Sequence, residues 1–139
     1  MPDIYLLDAN AISHIMRNTE GAVASRYRQR LLAPAPCQMV TSILVQCELP
    51  FGLARKPNPR LQAAYDIQMR QLPVLPLDTD VAEHYAGLRT VLERDGTPMG
   101  ANELLIAAHA LSLGAVVVTD DSAFIRVPGL RVENWLQAA

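Results

Sequence analysis

The sequence has few cysteines, few aromatic residues and no long apolar run. Cys37 and Cys47 are the only cysteines among 139 residues, and they do not form a CxxC pair. This argues against a disulfide framework or a zinc cluster and favours a reducing compartment. No apolar run approaches the ~20 residues needed to cross a bilayer, and the acidic start does not resemble a signal peptide. We therefore expect a cytoplasmic protein without a membrane partner.

A strong positive charge is also missing. The chain has 12 basic and 14 acidic residues and a formal net charge of −2. Binding to nucleic acid through the overall field alone is therefore not expected. Arg26, Arg28 and Arg30 form a candidate phosphate track, but alternate positions on a helix lie on different faces, which favours a solvated surface. Lys56 is the only lysine.

Half of the residues are hydrophobic, which is enough for one globular domain over residues 1–139. Short apolar runs predict strands at residues 4–7, 38–40, 73–76, 115–118 and 130–132. Helical periodicity and cap signals predict helices at residues 11–17, 21–32, 42–54, 59–71, 79–94 and 102–113. Pro50 lies inside the third helix and is expected to kink it. Strands that alternate with helices predict an α/β fold with a parallel sheet.

Acidic residues stand at the ends of two predicted strands and on two predicted helices. Asp8 directly follows the first strand, and Asp120 and Asp121 follow the fourth. Glu48 lies among apolar residues of the third helix, and Glu103 opens the last helix. Because parallel strands end at the same edge of a sheet, we expect these carboxylates to converge.

Each acid alone has an ordinary structural explanation as a cap, a loop residue or a favourable charge at a helix start. Convergence of four carboxylates, however, requires a counter-charge, because like charges disfavour ionisation. Oxygen ligands without cysteine or histidine suit Mg²⁺ or Mn²⁺. His109 is predicted to be a packed helix residue, and His14 has no evident ligand partner.

Four motifs resemble the PIN-domain ribonucleases, and within them the VapC toxins of bacterial VapBC pairs. The motifs and the C-terminal segment that carry the resemblance are Leu6-Leu-Asp-Ala-Asn10, Glu48 with Gly52, residues 99–109, Val118-Thr-Asp-Asp121 and residues 124–135. The resemblance implies a PIN-like α/β/α sandwich around a parallel sheet of four to five strands. It also implies a homodimer.

The resemblance further implies a Mg²⁺- or Mn²⁺-dependent endoribonuclease acting on tRNA or ribosomal RNA. Its catalytic and metal-binding residues would be Asp8, Glu48, Glu103 and Asp121. Asn10 would support the site, and Asp120 is a less favoured substitute for Asp121. The implied partner is a VapB-type antitoxin, which would connect the toxin to operator DNA.

The chain departs from the family pattern at three positions. Ala9 replaces a common Thr or Ser, Pro50 follows Glu48 closely, and Glu103 stands where Asp is typical. Two further functions therefore stay open. One is a catalytically weakened PIN domain that serves as a binding module for antitoxin and operator complex. The other is a phosphatase on a different fold, for which the sole lysine, Lys56, is poorly placed.

Overall fold

The computed structural model describes residues 3–137 and is built around a five-stranded parallel sheet. Every neighbouring pair of strands is parallel. The strands are β1 (Asp3–Leu7), β2 (Cys37–Ser42), β3 (Val74–Leu75), β4 (Val116–Val118) and β5 (Arg131–Glu133). The prediction of an α/β fold with four to five parallel strands is confirmed, with five strands present.

Six α-helices accompany the sheet within these residues. They are α1 (Ala9–Arg17), α2 (Ala22–Leu32), α3 (Ile43–Arg55), α4 (Pro59–Gln71), α5 (Thr79–Arg94) and α6 (Ala101–Leu113). All predicted helices and strands are present, and their boundaries differ from the prediction by at most two residues. A short 3₁₀ helix, Ser122–Arg126, follows β4 and was not predicted. Across the described part of the chain, the helices are too short or too polar to traverse a bilayer.

Polar side chains fix the starts of the helices that follow β1 and β2. The Asp8 carboxylate accepts a hydrogen bond from the backbone N–H of Ala9. With this cap, α1 begins at Ala9, two residues before the start that was predicted from the apolar periodicity. Ser42 ends β2 and caps α3 by accepting from the N–H of Leu44 at 3.1 Å, as its sequence signal indicated. The α3 helix continues through Pro50 to Arg55. Both caps place the following helix directly at the carboxyl end of a strand.

The strand order defines where a site is expected. The sheet runs β3-β2-β1-β4-β5, so the chain moves outward from β1 on one side and later returns to the other side at β4. The reversal of direction lies between β1 and β4, which is the position where open α/β sheets bind ligands. Leu6, Leu7 and Val117 are fully buried in these two strands. Their packing holds the adjoining strand ends in fixed positions.

Candidate metal centre

Asp8 lies at the carboxyl end of β1 and is the only buried acidic side chain among residues 3–137, at 6% exposure. Its Oδ1 accepts from the backbone N–H of Ala9 at 2.7 Å, and its Oδ2 accepts from the hydroxyl of Thr119 at 3.0 Å. Burial raises the pKa of Asp8 above its ordinary value, and these two hydrogen bonds partly oppose the rise. The carboxylate is therefore rigidly held but poorly hydrated.

Thr119, the residue after β4, organises the surroundings of Asp8. Its hydroxyl accepts from the Asn10 side-chain amide at 2.9 Å and from the N–H of Asp121 at 3.1 Å, while it donates to Asp8. Asn10 also lies 3.3 Å from Asp8 Oδ2, and its carbonyl oxygen accepts from the N–H of Asp120. Thr119 was not predicted as a site residue. The sequence pattern that could have identified it is a hydroxyl residue between a valine-rich strand and two acidic residues.

Asp120 and Asp121 turn to different neighbours. One carboxylate oxygen of Asp120 lies 2.9 Å from Nε2 of His14, a partner that sequence spacing did not predict. The Asp121 carboxylate accepts from the N–H of Ala123 and so caps the 3₁₀ helix. The charge of Asp121 contributes to the raised pKa of Asp8. Asp121, and not Asp120, is therefore the acid of this loop whose charge raises the pKa of Asp8.

Glu48 is half-buried on α3. Desolvation raises its pKa above the ordinary value, and the charges of Asp8 and Glu103 raise it further. Within residues 3–137 its carboxylate accepts no hydrogen bond that would offset the loss of water. Glu48 therefore lies close enough to the other acids to experience their repulsion.

Glu103 lies in the first turn of α6, where a negative charge interacts favourably with the helix dipole. Its side chain folds back over Gly100, the residue that precedes the helix. A Cβ at position 100 would collide with the Glu103 carboxylate, so glycine is required for this conformation. Even in this position, the Glu103 charge raises the pKa of both Asp8 and Glu48.

The four predicted acids thus form an electrostatic group around the β1–β4 reversal. Across residues 3–137, no three acidic, histidine or cysteine side chains already stand close enough to bind an ion together. The available donors are carboxylate oxygens, which suit Mg²⁺ or Mn²⁺, and their mutual repulsion is what a cation would relieve. The residues fit a divalent ion in chemistry, provided that the longer side chains turn inward.

His109 belongs to the packing and not to this group. It is almost fully buried on α6, and its Nδ1 lies 2.8 Å from the Ser42 hydroxyl. Burial lowers the pKa of His109 and so favours the neutral ring. The prediction of a packed helix residue is confirmed, and the side chain ties α6 to the junction of β2 and α3.

Comparison with known proteins agrees with this architecture. The sequence matches the family model of the PIN domain over residues 5–130. It is 33% identical over 133 residues to the tRNA(fMet)-specific endonuclease VapC of Salmonella typhimurium, covering 94% of this chain and 97% of that protein. It is 32% identical over 134 residues to ribonuclease VapC2 of Rickettsia felis, covering 95% and 98%.

A solved structure shows the same fold. The crystal structure of VapBC2 from Rickettsia felis, bound to a DNA fragment from its promoter, is similar with a TM-score of 0.85 and 31% identity. The similarity covers 95% of this chain and 98% of that one. The domain match, the two ribonuclease relatives and the shared fold all span nearly the whole chain, and they confirm the resemblance seen in the four motifs. The chain therefore belongs to the PIN-domain family and, within it, to the VapC toxins of toxin–antitoxin systems.

Proposed function

We propose that the chain is a Mg²⁺- or Mn²⁺-dependent endoribonuclease that a VapB-type antitoxin inhibits. The observation that carries this proposal is the buried Asp8, which faces the charges of Asp121 and Glu103 although burial already disfavours its ionised form. Such an arrangement is unfavourable unless a cation compensates it. The location at the β1–β4 reversal and the ribonuclease relatives support the same function.

In this proposal Asp8, Glu48, Glu103 and Asp121 hold the ion. A bound divalent ion would polarise the scissile phosphate and make a water molecule more acidic. Asp8 provides the fixed ligand, because Ala9, Asn10 and Thr119 hold its carboxylate. Water would add to phosphorus as the bond to the 3′ oxygen breaks, and a proton of that water would pass to the 3′ oxygen, which would leave a 5′ phosphate and a 3′ hydroxyl. No side-chain nucleophile is required.

The second candidate function is a catalytically weakened PIN domain that mainly binds its antitoxin and the operator complex. The observation that favours it is Glu103, which is longer than the typical Asp and is folded over Gly100. A ligand displaced by about 1 Å can lower a reaction rate about 100-fold. The two functions differ in whether Glu103 can turn toward Asp8.

The proposed partners follow the relatives. The Salmonella protein is named for tRNA(fMet), and the Rickettsia structure holds a VapBC pair on promoter DNA. For this chain we infer a tRNA or ribosomal RNA substrate, a VapB-type antitoxin and contact with operator DNA only through that antitoxin. A homodimer follows from the family resemblance.

Cleavage of RNA by antitoxin-free protein tests the function. Total RNA is incubated with the chain, with Asp8→Ala and with Glu103→Asp, in Mg²⁺ or Mn²⁺ and in EDTA. We expect metal-dependent cleavage that Asp8→Ala abolishes and Glu103→Asp accelerates, because the shorter carboxylate restores the typical ligand length. If neither the unsubstituted chain nor Glu103→Asp cuts RNA, the nuclease proposal is wrong.

The same assay distinguishes the two neighbouring acids of the loop after β4. Asp121→Asn and Asp120→Asn each remove one negative charge from adjacent positions. Because Asp121 is the one whose charge reaches Asp8, we expect Asp121→Asn to lose cleavage and Asp120→Asn to retain it. An equal loss in both variants would contradict the assignment of Asp121.

A further inference from the structure

A cleft of about 400 Å³ opens beside the acidic group, and Glu48 is part of its wall. The cleft follows one face of α3 and lies between the end of α1 and the start of α4. The residues of α3 that line the cleft recur at helical spacing and include Glu48, Leu49, Gly52, Leu53 and Arg55. The cleft therefore leads directly away from one of the proposed metal ligands.

Cations predominate in this cleft. Arg17, Arg55 and Lys56 line it and are exposed, whereas Glu48 is its only acidic residue. Arg17 donates through Nε to the Ser13 hydroxyl at 3.0 Å, which leaves its terminal nitrogens available. In the described part of the chain, the ion pairs are made by other basic residues. The three cations of the cleft are thus without a carboxylate partner among residues 3–137.

An exposed aromatic ring adjoins these cations. Phe51 is 61% exposed, and the guanidinium of Arg55 lies 5.5 Å from the centre of its ring. Gly52, the next residue, has open space where a side chain would be, since a Cβ there would meet no atom within 4 Å. A flat ring, a stacked guanidinium and unpaired cations are the parts from which single-stranded nucleic acid sites are built.

The arginines of α2 provide a contrast. Arg26 and Arg30 approach the carboxylate of Glu133 at 3.9 and 3.5 Å, and Arg28 donates to the carbonyl of Thr19. These side chains are engaged within the protein and do not form a phosphate track. Unlike Arg26 and Arg30, the three cations of the cleft make no ion pair among residues 3–137.

We propose that this cleft binds the single-stranded RNA that flanks the scissile phosphate, with backbone phosphates on Arg17, Arg55 and Lys56 and a base against Phe51, which stands beside the cleft on α3. The proposal rests on the proposed nuclease function, because Glu48 connects the cleft to the acidic group. It also accounts for the negative net charge, since binding depends on a local group of cations and not on the overall field.

RNA binding in EDTA tests this proposal without requiring cleavage. The affinity of antitoxin-free protein for a fluorescent single-stranded RNA is measured by anisotropy over a series of salt concentrations. We expect Arg55→Gln/Lys56→Gln to weaken binding about tenfold or more and to reduce the salt slope by about 0.7 for each lost phosphate contact. Phe51→Ala should weaken binding about tenfold with an unchanged slope.

Two matched controls accompany these variants. Arg70→Gln/Arg94→Gln removes the same charge from exposed positions outside the cleft and should leave the affinity and the slope unchanged. Gly52→Phe should block the cleft and weaken binding, whereas Gly52→Ala should not. Circular dichroism confirms that each variant is folded.

The outcomes separate the cleft from the nuclease. If the Arg55/Lys56 variant binds RNA with the same salt slope as the Arg70/Arg94 control, the cleft proposal is overturned even where metal-dependent cleavage is observed. If the variant loses binding to a VapB-type antitoxin but not to RNA, the cleft is a protein-docking surface and the proposal is again overturned. Loss of RNA binding in the Arg55/Lys56 variant supports the cleft as an RNA-binding surface, and failure of the cleavage assay would then overturn only the nuclease function.

Discussion

At the scale of single residues, the hydroxyl of Thr119 has every hydrogen-bonding position filled. It accepts from Asn10 and Asp121 and donates to Asp8, at distances of 2.9, 3.1 and 3.0 Å. In many PIN domains a hydroxyl follows the first acid, and here that position is Ala9. Thr119 therefore supplies a hydroxyl to the site from the end of the neighbouring strand, and it links residues 8–10 to residues 119–121.

The importance of this hydroxyl can be measured with Thr119→Val and Thr119→Ser. Valine keeps the shape but leaves the Asp121 N–H without an acceptor and removes the shorter of the two hydrogen bonds of the Asn10 amide, so we expect the free energy of unfolding to fall by about 1–3 kcal/mol. Serine keeps the hydroxyl and loses one buried methyl group, which costs about 0.8 kcal/mol. Urea unfolding checks both values. If Thr119→Val were as stable as the unsubstituted chain, packing and not hydrogen bonding would be the role of Thr119.

At the scale of elements, the start of α6 controls where the Glu103 carboxylate lies. The helix begins after Gly100, and Glu103 folds back over that glycine because no Cβ is present. A helix start attracts a carboxylate through its dipole, and this attraction competes with any cation near Asp8. The conformation of one side chain is therefore set by the element that carries it.

Gly100→Ala tests this competition. The added Cβ occupies the position of the folded Glu103 carboxylate, so we expect the side chain to turn away and the affinity for Mn²⁺ to rise in calorimetric titration. Stability should fall by about 0.5–1 kcal/mol, because alanine is a poorer residue than glycine at this position. In a Glu103→Ala background the same substitution should leave Mn²⁺ affinity unchanged. If Gly100→Ala also raised the Mn²⁺ affinity in the Glu103→Ala background, the Glu103 side chain would not be the cause.

The elements themselves were predictable, and the side-chain arrangement within the site was not. Apolar runs located β1 and β4, and the position of Asp8 after β1 identified the edge of the sheet that matters. The pairing of His14 with Asp120 spans 106 positions and depends on how α1 packs beside the loop after β4. The position of the Glu103 side chain over Gly100 depends on its rotamer, and residue spacing does not determine a rotamer. Periodicity reports which face is buried, but not which atoms meet.

At the scale of the whole molecule, the acidic group opposes folding when no cation is bound. Burial and neighbouring charges raise the pKa of Glu48 and of Asp8 relative to the unfolded chain. A carboxyl group with a raised folded pKa binds protons more tightly in the native state, so protonation favours folding. The free-energy cost of the ionised carboxylates is therefore present when the pH is above their folded pKa, and it disappears as the pH falls through that pKa.

Glu48→Gln isolates this contribution. In EDTA at pH 7 we expect the variant to be more stable than the unsubstituted chain by about 0.5–2 kcal/mol, as is common when a strained functional site is relieved. The advantage should vanish as the pH falls toward the ordinary carboxyl range, where Glu48 itself becomes neutral. Thermal unfolding at several pH values checks this, and comparison at each pH cancels the shared contribution of His109. A difference that does not change with pH would rule out the charge of Glu48 as its cause.

The strand order also has a consequence for the chain while it is being synthesised. The four acids come from positions 8, 48, 103 and 121, and β1 acquires its second neighbour only when β4 is available. A growing chain on the ribosome can pair β1 with β2 early, yet it has no Asp121 and no Thr119 to hold Asp8. The acidic site therefore cannot assemble until residue 121 has emerged from the ribosome, so a chain that is still being translated up to that point lacks the assembled site.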